Sequence, residues 1–246
     1  AAIMLRRGDV SAPTADSVQA EAYRLTIDSD DGIEIVGTTD SGVFYGVQSL
    51  EGWLPVKAYA APAPPVSVPV ARIVDAPRFE YRGFHLDVSR NFRSVETVKR
   101  LIDIMAFYKL DTFHFHLTDD EGWRLAVDGF PALTQVGGRR GHPRPNDEYL
   151  IPSYGSGPNP SPTAPSSGSG WYSQAEYLEI LRYAKARHVT VMPEIDVPGH
   201  ARAAMEAMKA RWHRLRAAGD TAAARRYRLH DPDDESDYES GQGWTD

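Results

Sequence analysis

Three short stretches collect the residue types that do chemistry. They are Leu86-Asp87-Val88-Ser89-Arg90-Asn91-Phe92, His114-Phe115-His116-Leu117-Thr118-Asp119-Asp120-Glu121-Gly122-Trp123-Arg124 and Pro193-Glu194-Ile195-Asp196-Val197-Pro198-Gly199-His200. Carboxylates beside imidazoles suit proton transfer, and an arginine fork suits an oxygen-rich ligand. His114 and His116 open another route. Alternate residues on a strand face one way, so both imidazoles are placed as two ligands of a metal hydrolase would be, with Asp119 and His200 nearby. Each residue also has a plain structural reading. Arg90 can be solvated, Asp119 and Asp120 can cap a turn, and His200 can simply start a helix.

What decides between these readings is where the elements put the clusters. From Tyr81 onward the pattern alternates strand and helix. Gly83–Val88 is a strand, and Ser94 caps a helix whose apolar face is Val95, Val98, Leu101, Ile102 and Met105. Thr112–Leu117 is the second strand. Ser173-Gln174-Ala175-Glu176 is a capping box that opens a helix with Tyr177, Ile180, Leu181 and Ala184 on one stripe. Val189–Glu194 is the third strand, and a helix over about Pro198–Ala218 follows, with Met205, Met208, Trp212 and Leu215 as a core stripe. Such alternation predicts a parallel α/β sheet, either a barrel or a doubly wound sheet. In a barrel the site lies at the C-terminal ends of the strands, and each of the three clusters falls there.

The preceding region reads differently. Ala22–Ile27 and Ile33–Val36 alternate in polarity as half-buried strands do, with a turn at Asp28–Gly32. Val43, Phe44, Val47, Leu50 and Leu54 then recur at helical spacing, so residues 1–54 form a small α+β module. Five prolines lie between Pro55 and Val70, and residues 55–78 read as a stiff connector. Residues 79–246 form the second domain. Within it, 151–170 holds 15 Gly, Pro and Ser out of 20, a loop expected to be a lid or disordered. Trp171 and Tyr172 are expected to anchor its end.

Composition narrows the function classes. Seven acidic residues and no Lys or Arg lie between Asp231 and Asp246, and they account for the net charge of -7. The rest is balanced, which gives no basic surplus for a nucleic-acid partner. The acidic segment reads as a solvated loop. No apolar run approaches a membrane span, and the first seven residues are too short a run for a signal peptide. With no cysteine in the chain, disulfides and thiolate metal sites are excluded.

The strings HLDVSRNF, HFHLTDDEGWR and MPEIDVPGHARA resemble those of the glycoside hydrolase family 20 β-N-acetylhexosaminidases. Residues 21–54 resemble the small α+β domain before the barrel in that family. The long loop from Tyr149 to Pro158 and the segment Arg228-Leu229-His230-Asp231-Pro232 look like the chitobiase branch. The resemblance implies the first three βα units of a (β/α)8 TIM barrel, preceded by part of the small domain. It implies that Arg90 holds the ring hydroxyls of a terminal sugar, and that Asp119 and His200 form a carboxylate–imidazole relay. Trp123 becomes an apolar wall for a sugar face. The partner is an N-acetylhexosamine-containing oligosaccharide, no cofactor or metal is implied, and the compartment is periplasmic or secreted.

The family's reaction is retaining and substrate-assisted: the acetamido oxygen of the sugar attacks the anomeric carbon. An Asp-Glu pair in a His-x-Gly-Gly-Asp-Glu pattern orients that group and protonates the leaving oxygen. The pattern does not occur in this sequence, and Asp120-Glu121, Asp147-Glu148 and Asp234-Glu235 do not stand in for it. The chain is thus expected to stop before the strand carrying the acid, to be inert alone, and to fold poorly because of an uncovered sheet edge. Two other readings remain. One is the metal-dependent barrel hydrolase using His114 and His116, although such a pair normally lies on the first barrel strand. The other is a non-catalytic carbohydrate-binding module.

Overall fold

The computed structural model describes residues 2–14, 16–61, 64–142, 148–161, 163 and 167–228. The acidic segment Asp231–Asp246, residues 229–232 of the chitobiase-like string, and Asp147 and Asp234 of the adjacent Asp-Glu pairs lie outside the described residues. The chain divides into two compact units. One comprises 1–84 with 100–112 and 183–190, and the other comprises 85–99, 113–182 and the remainder.

The first unit begins with β1 (Ile3–Arg7), β2 (Tyr23–Asp28) and β3 (Gly32–Gly37), followed by α1 (Asp40–Trp53) and β4 (Ala71–Asp75). The sheet order is β1-β3-β2-β4. β2 pairs antiparallel with both β3 and β4, and β1 pairs parallel with β3. Asp28 makes the β2–β3 turn: its Oδ1 accepts from the N–H of Asp30 at 2.8 Å and of Asp31 at 3.1 Å. Thr39 caps α1, accepting from Gly42 N. The core between sheet and helix is Tyr23, Leu25, Ile27, Ile35, Tyr45 and Leu50.

Two elements here differ from the sequence expectation. Ile3–Arg7 is an exposed edge strand, so its side chains lack the alternation that would mark it. The span 55–78 is not connector throughout. Between Pro69 and Pro77 there is no proline, so Ala71–Asp75 keeps the N–H donors that let it pair with β2.

The strand–helix alternation follows with β5 (Gly83–Asp87), α2 (Val95–Phe107), β6 (Thr112–Asp119), β7 (Gly122–Trp123), α3 (Ala132–Gln135), α4 (Gln174–Lys185), β8 (Thr190–Ile195), α5 (Arg202–Ala217) and α6 (Thr221–Ala224). β6 is the central strand and pairs with β5, β7 and β8. Its odd positions Phe113, Phe115 and Leu117 are fully buried, with the two phenyl rings stacked at 4.6 Å. Period-two alternation therefore gives His114 and His116 to the opposite face.

Both expected caps form. Thr97 N donates to Ser94 Oγ at 3.3 Å. Ser173 N donates to Glu176 Oε2 at 2.7 Å while Glu176 N donates back to Ser173 Oγ at 3.2 Å. On α2, Val98, Ile102 and Met105 are fully buried, as the periodicity predicts. On α5 the buried face is Ala203, Ala207 and Ala210, the last two packed on Ala132, Leu133 and Val136 of the α3 region, with Met208 only at its margin. Small residues let the two helices approach closely, so the Met205–Leu215 stripe is a flank and not the core. Tyr172 is fully buried, as expected of a loop anchor. Among the described residues no helix is long and apolar enough to cross a membrane.

Candidate functional site

The C-terminal ends of β5, β6 and β8 bring the three sequence clusters together. Asp87 ends β5 and turns the chain: its Oδ1 accepts from Arg90 N at 3.0 Å, and its Oδ2 accepts from Arg90 Nη1 at 2.9 Å. The same guanidinium lies 2.7 Å from Asp119 Oδ2 through Nη2 and 3.4 Å from Glu121 Oε2 through Nε. Three carboxylates thus surround the fork, with Asp87 hydrogen-bonded to it, yet the Arg90 side chain stays 40% exposed. A ligand can still reach it.

Asp119, the last residue of β6, is 1% exposed. A buried carboxylate needs partners for both oxygens. Oδ2 accepts from His116 Nε2 at 2.8 Å as well as from Arg90, and Oδ1 accepts from Asp120 N at 2.7 Å. His200 Nδ1 lies 3.2 Å from Oδ1. Burial pushes the Asp119 carboxyl up, but the His116 and Asp120 hydrogen bonds and the Arg90 and His200 charges outweigh it and hold it below its ordinary range. His200 follows the Gly199 turn with φ of 53°, a left-handed backbone uncommon for a residue with a Cβ. Arg90, Asp119 and His200, named together from the sequence, are one contiguous group.

Behind Asp119 the contacts continue. His116 Nδ1 sits 3.0 Å from Glu194 Oε2, and the same oxygen lies 2.6 Å from His114 Nε2 and 3.6 Å from His85 Nε2. The hydrogen bond to Asp119, reinforced by Glu194, raises the His116 imidazole to about 9 against the cost of its burial. Glu194 is drawn below its ordinary value: desolvation is outweighed by His116 and His114.

These donors bear on the metal alternative. His85, His116 and Glu194 form one set of ligand atoms within 4.8 Å of each other, and His116-Asp119-Asp196 and Asp119-Asp120-His200 form two more. Two ligands on a tetrahedral zinc at ~2.1 Å are about 3.4 Å apart. The His114–Glu194 and His116–Glu194 separations of 2.6 and 3.0 Å are shorter than that and are those of close ion-pair contacts. His114 and His116 thus share a face, as expected, but they bind a carboxylate rather than offering two open ligand positions.

Two other expectations resolve into structure. Asp120 Oδ1 accepts from Arg202 N at 3.0 Å, so this residue caps the start of α5. Trp123 donates its indole N–H to Leu125 O at 2.6 Å and packs against the Ala132–Ala210 cluster. Its described contacts are with that core and not with Arg90, Asp119 or His200, which gives no support to the sugar-wall expectation.

The residues that sequence reasoning missed lie beneath the site. Arg124 is fully buried and spends all five of its N–H donors on main-chain carbonyls. Nε donates to Val88 O, Nη1 to Gly138 O and Gly170 O, and Nη2 to Ser89 O and Gly168 O, at 2.7–3.1 Å. Burial and the adjacent Arg140 charge lower its ordinary value. Arg140, also fully buried, donates to Glu121 O at 3.0 Å, Arg90 O at 2.8 Å and Tyr154 O at 3.0 Å. Both arginines therefore tie the 138–170 loop to the backbone that carries Arg90. Backbone carbonyls have no side-chain signature, so nothing in the sequence marked these partners.

Comparison with known proteins gives a consistent picture. The chain is 44% identical to a beta-hexosaminidase of Vibrio vulnificus over 238 residues, which is 97% of this chain and 27% of that protein. It is 47% identical to the N,N'-diacetylchitobiase of Vibrio harveyi over 223 residues, 91% of this chain and 24% of the relative. The chain thus spans about a quarter of the length of these relatives. Among solved structures, a family 20 exo beta-N-acetylglucosaminidase from Vibrio harveyi in complex with N-acetylglucosamine superposes with a TM-score of 0.68 at 36% identity. That match covers 85% of this chain and 29% of the other. The Streptomyces coelicolor beta-N-acetylhexosaminidase gives 0.66 at 37% identity, covering 82% and 36%. Residues 2–76 match the model for domain 2 of glycosyl hydrolase family 20 and residues 79–239 match that for its catalytic domain, so the chain belongs to this family and carries the opening strand–helix units of its barrel.

Proposed function

We propose that this chain supplies the sugar-holding part of a β-N-acetylhexosaminidase, which removes terminal N-acetyl-β-D-hexosamine from chitobiose or glycans with retention. The observation that carries the reading is the Arg90 fork, paired with Asp87 and Asp119 beside Glu121 yet 40% exposed at the strand ends. A fork held in one plane can donate to two neighbouring equatorial hydroxyls with little ordering cost. Asp119 and His200 stand beside it as a carboxylate–imidazole pair, able to set a histidine tautomer and pass a proton toward a reacting group.

In the substrate-assisted scheme the acetamido oxygen of the sugar is the nucleophile, and this chain's residues bind and orient the ring rather than attack it. The orienting aspartate and the acid glutamate of that scheme are not among its 246 residues. The chain, once folded, is therefore expected to bind N-acetylglucosamine and not to hydrolyse a glycoside. Titration with N-acetylglucosamine by isothermal calorimetry, beside a nitrophenyl N-acetyl-β-glucosaminide assay, tests both halves. Saturable binding without release of nitrophenol supports the reading. No binding, or turnover above the blank, overturns it. A periplasmic or secreted location fits a substrate derived from chitin or surface glycans, and fractionation of producing cells with an antibody to the chain checks it.

A further inference from the structure

The carboxylate of Asp119 can rotate about a broad, two-fold torsion. Asp120 N–H holds Oδ1 at 2.7 Å, and a hold on the other oxygen fixes the plane in which Oδ1 meets His200. Oδ2 is held by His116 Nε2 at 2.8 Å and by Arg90 at 2.7 Å. Arg90, however, is 40% exposed and, on the reading above, is drawn on by the ligand. His116 is 5% exposed and faces no ligand. The steady partner is the histidine.

An imidazole ring can flip, and the flip would move Nε2 away from Asp119. Glu194 works against it. Nε2 is hydrogen-bonded to Asp119 Oδ2 at 2.8 Å and Nδ1 lies 3.0 Å from Glu194 Oε2, so a carboxylate oxygen stands near each nitrogen and favours a ring protonated at both. The other charged and titratable groups around the ring are known. Asp87 and His85 approach from β5, His114 lies on its own strand and shares Glu194, and Arg90 reaches it through Asp119. A cation between Asp119 and Glu194 is matched on both sides, and Glu194 comes from β8, the strand that leads into His200.

We propose that His116 and Glu194 are positioning residues of this site: together they lock the Asp119 carboxylate in the rotamer that turns Oδ1 toward His200. The contacts form one line, Glu194 to His116 to Asp119 to His200, with separations of 3.0, 2.8 and 3.2 Å. Each of the two residues acts through Asp119, and the inference rests on the sugar-site reading only for its consequence in binding. A purely packing role for His116 would be filled by a neutral ring in either orientation.

The test is nitrogen-15 spectroscopy of the histidine rings in the 246-residue chain, with N-acetylglucosamine titrated into the same samples. In the wild type at pH 8, where a free histidine is neutral, His116 shows both ring nitrogens protonated and His200 shows the Nδ1–H tautomer. Glu194→Gln turns His116 into a neutral ring, gives His200 mixed tautomers, and weakens the sugar roughly tenfold, about 1.4 kcal/mol. His116→Gln gives the same His200 mixture and the same loss. If that variant does not fold, Glu194→Gln carries the test alone. A neutral His116 in the wild type, or a His200 tautomer unmoved by Glu194→Gln, overturns the proposal. If the wild type binds no sugar, the functional reading fails, while the ring spectra still decide the positioning of Asp119.

Discussion

Arg90 and Asp119 meet at 2.7 Å across the ends of two strands, one 40% exposed and the other 1%. The pair is thus buried at one end and open at the other. The buried carboxylate keeps His116 and the Asp120 N–H when Arg90 is changed, so the cost of losing Arg90 should fall on ligand binding more than on folding.

Arg90→Lys is therefore expected to weaken N-acetylglucosamine about 10- to 100-fold, because an ammonium cannot reproduce a planar fork. The melting temperature should stay within a few degrees of the wild type, as for other half-exposed ion pairs. Calorimetric titration and a thermal melt on one preparation separate the two effects. A large loss of stability with unchanged binding would show Arg90 to be a structural residue.

Arg124 should behave in the opposite way. Replacing it by Met removes five hydrogen bonds and leaves the carbonyls of Val88, Ser89, Gly168 and Gly170 without that donor, while Gly138 O keeps the Gly170 N–H at 2.9 Å. Each unsatisfied buried polar group costs on the order of 1–3 kcal/mol before relaxation and water entry. The expected loss is at least ~3 kcal/mol, read as a fall in the urea midpoint. A midpoint within error of the wild type would refute it.

Stability should have a pH optimum. His116 is held at about 9 in the folded chain against about 6.5 unfolded. Its contribution is fully present below ~6.5 and is lost as pH rises through the folded value. Asp119 and Glu194 are depressed, so their contribution is present above ~4 and disappears as pH falls through their folded values. Melting temperature should fall between pH 6.5 and 9, and His116→Gln should flatten that slope. An unchanged alkaline slope in the variant would assign it to another group.

Gly37 tests the first unit alone. A Cβ at this position would stand 2.1 Å from Val43 N, where the backbone of α1 leaves no room. Gly37→Ala should destabilise by about 2–3 kcal/mol, while Gly129→Ala, with nothing within 4 Å but a φ of +78°, should cost about 1–2 kcal/mol from backbone strain alone. Urea melts of the two variants make the comparison, and equal midpoints would count against the close approach.

Much of this was legible in advance because periodicity survives translation into structure. β5, β6 and β8, helices α1, α2 and α4, and both serine caps fall where alternation, 3.6-residue spacing and capping chemistry put them. Arg90, Asp119 and His200 were singled out through the resemblance of their strings to the hexosaminidase family, and the strand ends do bring the three side chains together. β1 was not, since Ile3, Met4 and Leu5 are all more than half exposed and leave no alternating trace. β4 was masked by the prolines before it. Glu194 was visible as a residue but not as a partner. Its contacts with His114 and His116 cross from β8 to β6, and no local spacing encodes a cross-strand distance.

Arg124 has one further consequence. Its five hydrogen bonds read only main-chain oxygens, three of them in Gly138, Gly168 and Gly170. A clamp of this kind is blind to side-chain identity. The long Gly/Pro/Ser loop can therefore exchange, gain or lose residues between those anchors over evolutionary time without releasing the backbone that holds Arg90. Drift in the loop and constancy in the pocket become compatible, and a relative with a wholly different loop should still need an arginine at this one position.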